Sequence, residues 1–136
     1  MSRKIFVNLP VKQLEQSKEF FGTLGFSFNP QFTDSTAACM VISEDIYAML
    51  LTHEKFRDFT PKGICDATKD TEVLVCLSCE SRSEVDELTD KAIAAGGTKA
   101  RDSEDYGFMY CRSFHDLDSH IWELVWMDPN AIQNAS

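Results

Sequence analysis

Apolar residues along this chain follow two rhythms, short continuous or alternating runs and a spacing of three to four. The order of those rhythms predicts the elements. Ile5-Phe6-Val7-Asn8-Leu9 reads as a short buried strand, and Pro10, which has no N–H to give a ladder, suits its end. From Val11 onward Leu14, Phe20, Phe21 and Leu24 keep helical spacing, and Gly25 supplies the left-handed position at which helices stop. Phe26, Phe28 and Phe32 then alternate, and Thr36 to Ile42 and Ile46 to Thr52 are two further strand-like runs parted by Ser43-Glu44-Asp45, a hairpin pattern. His53 to Thr71 is a long polar stretch without a period that carries Phe56, Phe59, Pro61 and Gly63. Loops this long inside compact domains are usually functional or mobile.

The rhythm then starts again. Val73-Leu74-Val75-Cys76-Leu77 reads as a strand, and Val85, Leu88, Ala92 and Ile93 as a helix ended by Gly96-Gly97. Ser81 and Glu84 offer that helix a capping box, with Ser83 as a competing cap. Thr98 to Asp102, Phe108 to Phe114 and His120 to Met127 follow as three strands, and the polar tail Asp128 to Ser136 reads as frayed. Both halves therefore run strand, helix, three strands, and setting Phe6 against Leu74 gives an offset of 68, half of the 136 residues. The expected fold class is α+β: one domain of two βαβββ modules, at about 3–56 and 72–127 with a linker at 57–71. A module of that size buries only a little over 60% of its surface alone, so paired curved sheets around a cleft are expected.

Composition narrows the function. Hydrophobic residues make up 43% of the chain, enough for a core without disulfides or metal. The net charge of −9 and a pI near 4.7 argue against nucleic acid, whose phosphates need clustered Lys and Arg, and suit a cationic or neutral small ligand. No run approaches 18 apolar residues, and Met-Ser-Arg-Lys leads straight into a strand, so neither a membrane span nor a signal peptide is expected, and a cytoplasmic setting is. The five cysteines, odd in number and mostly within apolar runs, read as reduced, buried thiols. Cys76 and Cys79, three apart in an extended segment, point to opposite faces and do not share a metal. Walker, Gly-x-Gly-x-x-Gly and Gly-x-Ser-x-Gly patterns do not occur.

Asn8-Leu9-Pro10-Val11-Lys12-Gln13-Leu14, with Phe20-Phe21 and Leu24-Gly25-Phe26, resembles the first strand, helix and helix stop of the vicinal oxygen chelate superfamily, the group of glyoxalase I, bleomycin-resistance proteins, fosfomycin-resistance enzymes and extradiol dioxygenases. Asp116-Leu117-Asp118-Ser119-His120-Ile121-Trp122-Glu123-Leu124 is similar to the family's Asp-x-Asp-Gly-x-x-x-Glu-Leu ending, with Ser119 where glycine is usual. Tyr106-Gly107-Phe108-Met109 is similar to the approach strand of lactoylglutathione-lyase-like members. The resemblance implies paired βαβββ modules, a homodimer and, in metal-dependent members, four ligands from four strands. Carried over, those ligand positions fall on Phe6, Leu50, Leu74 and Glu123, of which only Glu123 can bind a metal. One carboxylate among three hydrocarbons is a poor site for a divalent ion, so no cofactor is expected.

The resulting expectation is a small-molecule binder of the glyoxalase and bleomycin-resistance type, its ligand cationic or aromatic, in an apolar cleft containing Glu123. Strand alternation places Asn8 on Phe6's face and Thr52 on Leu50's, where each could orient a ligand or satisfy a backbone group. Phe56 and Phe59 could close over it, and Met109 and Tyr110 lie beside the strand of Glu123. Trp122 and Trp126, opposite in face to Glu123, read as core. The alternative is a metal-dependent lyase or isomerase with Glu123 as base and a variant ligand such as His53 or His120. Asp116 to His120, however, is also turn chemistry.

Overall fold

The structure, a computed structural model, describes residues 3–133. The chain divides into two compact units, Met1–Asp66 and Ala67–Ser136, each of which opens with a strand, a helix and a two-residue strand and ends with an antiparallel strand pair and a short helix.

In the first unit β1 (Ile5–Val11) leads into α1 (Leu14–Thr23), followed by β2 (Ser27–Phe28), β3 (Ala37–Val41), β4 (Ile46–Thr52) and a short α2 (His53–Arg57). The four strands order as β1-β4-β3-β2, with β1 parallel to β4 and the β3–β4 hairpin antiparallel. Leu14, Phe20 and Phe21 of α1, together with Leu24, bury one helical stripe against the sheet. The sheet answers with Leu9 and Val11 of β1, Ala38 and Met40 of β3, and Ala48 and Leu50 of β4. Full burial of a side chain such as Phe21 is worth about 2–3 kcal/mol. The helix stops as the sequence predicts. Gly25, at φ 106°, donates its N–H to Gly22 O at 3.0 Å, and Phe26 donates to Phe21 O at 3.1 Å. The ring of Phe26 packs on that of Phe21, centroids 6.3 Å apart, which completes the hydrophobic contact of this type of cap.

The second unit repeats this with β5 (Leu74–Ser78), α3 (Arg82–Ala94), β6 (Thr98–Lys99), β7 (Glu104–Asp105), β8 (Met109–His115) and β9 (Ile121–Met127), then α4 (Pro129–Gln133). Its sheet orders as β5-β9-β8-β6, with β7 also on β8, so β5 beside β9 matches β1 beside β4. The offset of 68 survives in the packing, since Ser17, Phe21 and Leu24 of the first helix region correspond to Val85, Thr89 and Ala92 of α3, all buried. Ser81 rather than Ser83 is the cap of α3, accepting the N–H of Glu84 at 3.1 Å. The returning Glu84 carboxylate takes the N–H of Glu80 at 2.8 Å, one residue earlier than a standard capping box. Gly96, at φ 116°, and Gly97 close the helix with the same two bonds as Gly25 and Phe26, to Ile93 O at 3.3 Å and Ala92 O at 2.8 Å.

Several expectations are corrected. β1 runs through Pro10 to Val11, which a strand with a neighbour on only one side of its sheet tolerates. The stretch from Phe26 to Phe32 yields only the two residues of β2, then a single 3-10 turn over Pro30–Phe32 capped by Asn29. Thr98 to Asp102 gives only β6, and β7, too short for any period to reveal, was not expected. His53 to Arg57, expected as loop, is helical because the Thr52 hydroxyl caps it, accepting the N–H of Lys55 at 3.2 Å. Pro129–Gln133, expected as frayed, is a helical turn that begins where Asp128 accepts the N–H of Asn130, and residues 134–136 of that tail lie outside the described residues. Of the cysteines only Cys39 and Cys111 are buried, whereas Cys65 and Cys76 are exposed and Cys79 is half-buried. Among the described residues no helix is long and apolar enough to cross a membrane.

Candidate functional site

Each sheet has a face packed on its helix and a face turned from it, and the ladder registers assign every candidate to one or the other. In the first unit Phe6 stands opposite Tyr47 and Asn8 opposite Met49, on the face turned from α1. The rings of Phe6 and Tyr47 stack at 4.8 Å, and Phe6 remains 49% exposed. Leu50 pairs with Leu9 instead and is 0% exposed in the core under α1. The expectation that Leu50 shares a lining with Phe6 is therefore corrected. The register shifts that position to Met49, because one residue of slip moves a side chain to the other face. Thr52 lies on the Leu50 side, its hydroxyl engaged in capping α2, and the Asn8 amide donates to Phe6 O at 3.4 Å. Phe56 is half-buried within α2, while Phe59 is 67% exposed with the Lys55 ammonium 5.6 Å above its ring.

In the second unit the face turned from α3 carries Leu74 and Cys76 of β5, Ile121, Glu123 and Val125 of β9, and Met109, Cys111 and Ser113 of β8. Leu74 is 55% exposed. Tyr110 is not on this face. Its hydroxyl donates to Asp86 of α3 at 2.6 Å, Arg112 bonds the same carboxylate at 2.9 Å, and Arg82 lies over the rings of Tyr110 and Trp126. Trp122 is buried on the α3 side, as expected, its indole N–H given to Asp116 Oδ2 at 2.9 Å.

The centre of the face turned from α3 is an ion-paired cluster. Arg101, in the segment between β6 and β7, donates from Nη2 at 2.8 Å and from Nε at 3.0 Å to Glu123 Oε2. Its Nη1 donates to Glu104 Oε1, and Nη2 also approaches Cys111 Sγ at 3.8 Å. Tyr106 donates its hydroxyl to Glu104 Oε2. The Glu123 side chain is 15% exposed and that of Arg101 46%. Glu104, then Glu123, hold the Arg101 guanidinium above its already high range, and Tyr106 and Arg101 hold the Glu104 carboxyl low. Loss of hydration first, and then the Glu123 charge, push up the thiols of the buried Cys111 and of Cys76, whose residue is exposed but whose thiol is partly shielded, which leaves both as weak nucleophiles. Burial and Glu84 raise Cys79 to about 12. Beside Glu123 in the ladder the buried Ser113 hydroxyl has no hydrogen-bond partner among the described residues, and at the edge of β8 the lining of a hollow of about 400 Å³ includes Lys99, Arg101, Asp102, Tyr110, Arg112 and Ser113.

Sequence reading missed Arg101 and Glu104. Glu123, expected in an apolar lining, is paired with Arg101 there. Arg101 lies in a charged, aperiodic segment, and no motif spacing marks it. The family's metal positions, Phe6, Met49 or Leu50, Leu74 and Glu123, do not fit a divalent ion: two or three are hydrocarbon, a methionine offers only a thioether, and the carboxylate is engaged. Among the described residues no three His, Cys, Asp or Glu side chains gather in a way that could hold a metal ion. His120 is buried in the β8–β9 turn beside Asp116, where burial raises the Asp116 carboxyl. That turn is tight. Asp116 Oδ1 accepts the N–H groups of Asp118 at 2.9 Å and His120 at 3.0 Å, and Ser119 takes φ 68°.

Residues 3–43 match the family described as bleomycin resistance protein-like N-terminal. No curated relative matches the chain in sequence. A hypothetical protein from S. aureus is 28% identical with a TM-score of 0.76, the match covering 93% of this chain and 95% of that one. A glyoxalase/bleomycin resistance protein/dioxygenase family enzyme from Burkholderia phytofirmans PsJN shares the fold at 15% identity and TM-score 0.75, over 93% of this chain and 99% of that one. A fosfomycin resistance protein from Listeria monocytogenes does so at 19% identity and TM-score 0.65, over 93% and 91%. Over nearly its whole length the chain has the fold of these glyoxalase and bleomycin-resistance proteins, and in sequence residues 3–43 are similar to the bleomycin resistance protein-like N-terminal family.

Proposed function

We propose that this protein binds a small, mainly apolar or aromatic molecule against the face of the second sheet turned from α3, without a divalent metal at the family's ligand positions. The observation that carries this reading is the pair of Arg101 and Glu123 set among Leu74, Cys76, Ile121 and Val125. An apolar surface with one fixed polar centre is the usual design of a small-molecule site, in which hydrocarbon supplies area and the polar group sets orientation. The Glu123 pair weakens the case for a free cation partner, because a cationic ligand has to compete with Arg101 for the carboxylate.

The test is a thermal-shift panel of neutral aromatic, cationic and anionic small molecules, repeated on Leu74→Asp, whose exposed position tolerates a charge. A ligand at one hundred times its Kd stabilises the native state by about 2.7 kcal/mol. Stabilisation by aromatic compounds that Leu74→Asp weakens supports the reading. A panel without stabilising compounds, or stabilisation untouched by Leu74→Asp, contradicts it.

A further inference from the structure

The charged cluster on the second sheet has a feature that the loss of three metal ligands does not require: a cation is still there. We propose that the guanidinium of Arg101 is the resident cation of this site, taking at Glu123 the place that the family resemblance assigns to a divalent metal. Three side chains of metal-ligand type converge on it, namely Glu123 from β9, Glu104 from β7 and Cys111 from β8. The ladder explains the convergence. Glu104 stands opposite Cys111 and Cys111 opposite Val125, so all three share the face turned from α3, and the segment between β6 and β7 carries Arg101 in among them. With Arg101 in place the three stand around its planar guanidinium and do not gather into a set that could hold a metal ion, whereas removal of the guanidinium leaves them free to close on one.

The substitution changes the chemistry available. A divalent metal entering here has to expel Arg101 or meet its positive charge at contact distance, and a tethered guanidinium, unlike a bound ion, never dissociates. A metal polarises an oxygen as a Lewis acid, whereas Arg101 offers N–H donors. Glu123, Glu104 and Cys111 occupy Nε, one Nη1 and the Nη2 hydrogens, and a further Nη1–H is left over on a side chain that also lines the hollow at the edge of β8. A ligand meeting this pole of the site is received by a hydrogen-bond donor.

The claim concerns which cation sits at Glu123, so it is tested with zinc, which suits a mixed set of carboxylate and thiol donors. Isothermal titration with Zn²⁺ is run on the wild type, Glu123→Gln, Arg101→Gln and the Arg101→Gln/Glu123→Gln pair. The part of zinc binding that depends on Glu123 is the signal, which discounts adventitious uptake at exposed cysteines. The expected result is no Glu123-dependent binding in the wild type and one ion per chain in Arg101→Gln, lost again in the double variant. Arg101→Met, which keeps the hydrocarbon stem, is titrated in the same way should Arg101→Gln not fold. Glu123-dependent zinc binding in the wild type overturns the proposal, as does its absence from a folded variant lacking the guanidinium. Neither result bears on whether an organic molecule binds against Leu74, so the binding part of the proposed function fails separately from this proposal, on which only its metal-free part depends.

Discussion

Arg101 grips Glu123 by a single oxygen: Nη2 and Nε, at 2.8 and 3.0 Å, both meet Oε2, and Oε1 takes neither. The remaining fork of the guanidinium thereby stays directed at Glu104 and Cys111. One residue from a short irregular segment thus ties β7, β8 and β9 together on one face, and the pair is as much a structural tie as a binding group.

The strength of that tie is accessible by a double-mutant cycle. Arg101 is about half exposed and screened by solvent, so a coupling of about 1 kcal/mol with Glu123 is expected from urea unfolding of Arg101→Gln, Glu123→Gln and the pair. A coupling indistinguishable from zero at 0.15 M salt shows the contact to be energetically idle.

Asp116 is expected to matter more to stability than any residue of the cluster. Its buried carboxyl accepts the N–H groups of Asp118 and His120 and the indole N–H of Trp122. Asp116→Ala leaves a buried indole donor unsatisfied and loosens the β8–β9 turn, at a cost of about 3 kcal/mol. Asp116→Asn turns an amide donor or a single acceptor toward Trp122 and recovers only part of that. Equal unfolding midpoints for wild type and Asp116→Ala count against this account of the turn.

Three backbone positions are expected to respond in opposite directions. Ser119 adopts φ 68°, where a side chain is strained, so Ser119→Gly stabilises by up to about 1 kcal/mol. Gly25→Ala and Gly96→Ala place a side chain at φ 106° and 116° and each lower stability by about 1 kcal/mol or more. Gly96→Ala is the worse of the two, because its Cβ meets Leu117 Cδ2 at 3.2 Å whereas nothing lies within 4 Å at Gly25. Calorimetric melting of the three variants checks the order.

Acid stability has a traceable contribution from the start of α3. The Arg82 guanidinium, with the N–H of Gly107, lowers the Asp105 carboxyl from 3.8 to about 2. A depressed carboxylate favours the folded state above its unfolded value, and that contribution fades as pH falls from 3.8 toward 2. Urea midpoints measured between pH 5 and 2 are therefore expected to fall less steeply for Arg82→Gln than for the wild type. Parallel slopes refute the assignment.

The doubled architecture was legible because its signals are local and strong. Gly25 and Gly96 each end a helix whose apolar stripe is plain, and Ile46 to Thr52 and Ile121 to Met127 are long enough for a strand pattern to register. β6 and β7 were illegible because two residues carry no period; they exist through pairing with β8, a tertiary cause. Leu50 was misassigned because Ala48 to Leu51 is apolar on both faces, so alternation cannot say which side is which until Leu9 stands opposite. Glu123 could be singled out from its motif, but Arg101 reaches it from 22 positions away through a segment without repeat or motif. A site made by such a segment is visible only once the strands have brought it round.

The central claim is that the family's metal position is not a metal site in this protein, and it is tested most directly on the untagged wild type purified without chelator. Elemental analysis for Ni, Zn, Co and Mn is combined with a thermal-shift series after adding each ion. The account predicts less than stoichiometric metal and no stabilisation that depends on Glu123. One equivalent of a divalent ion per chain, with a matching rise in melting temperature that Glu123→Gln removes, contradicts it.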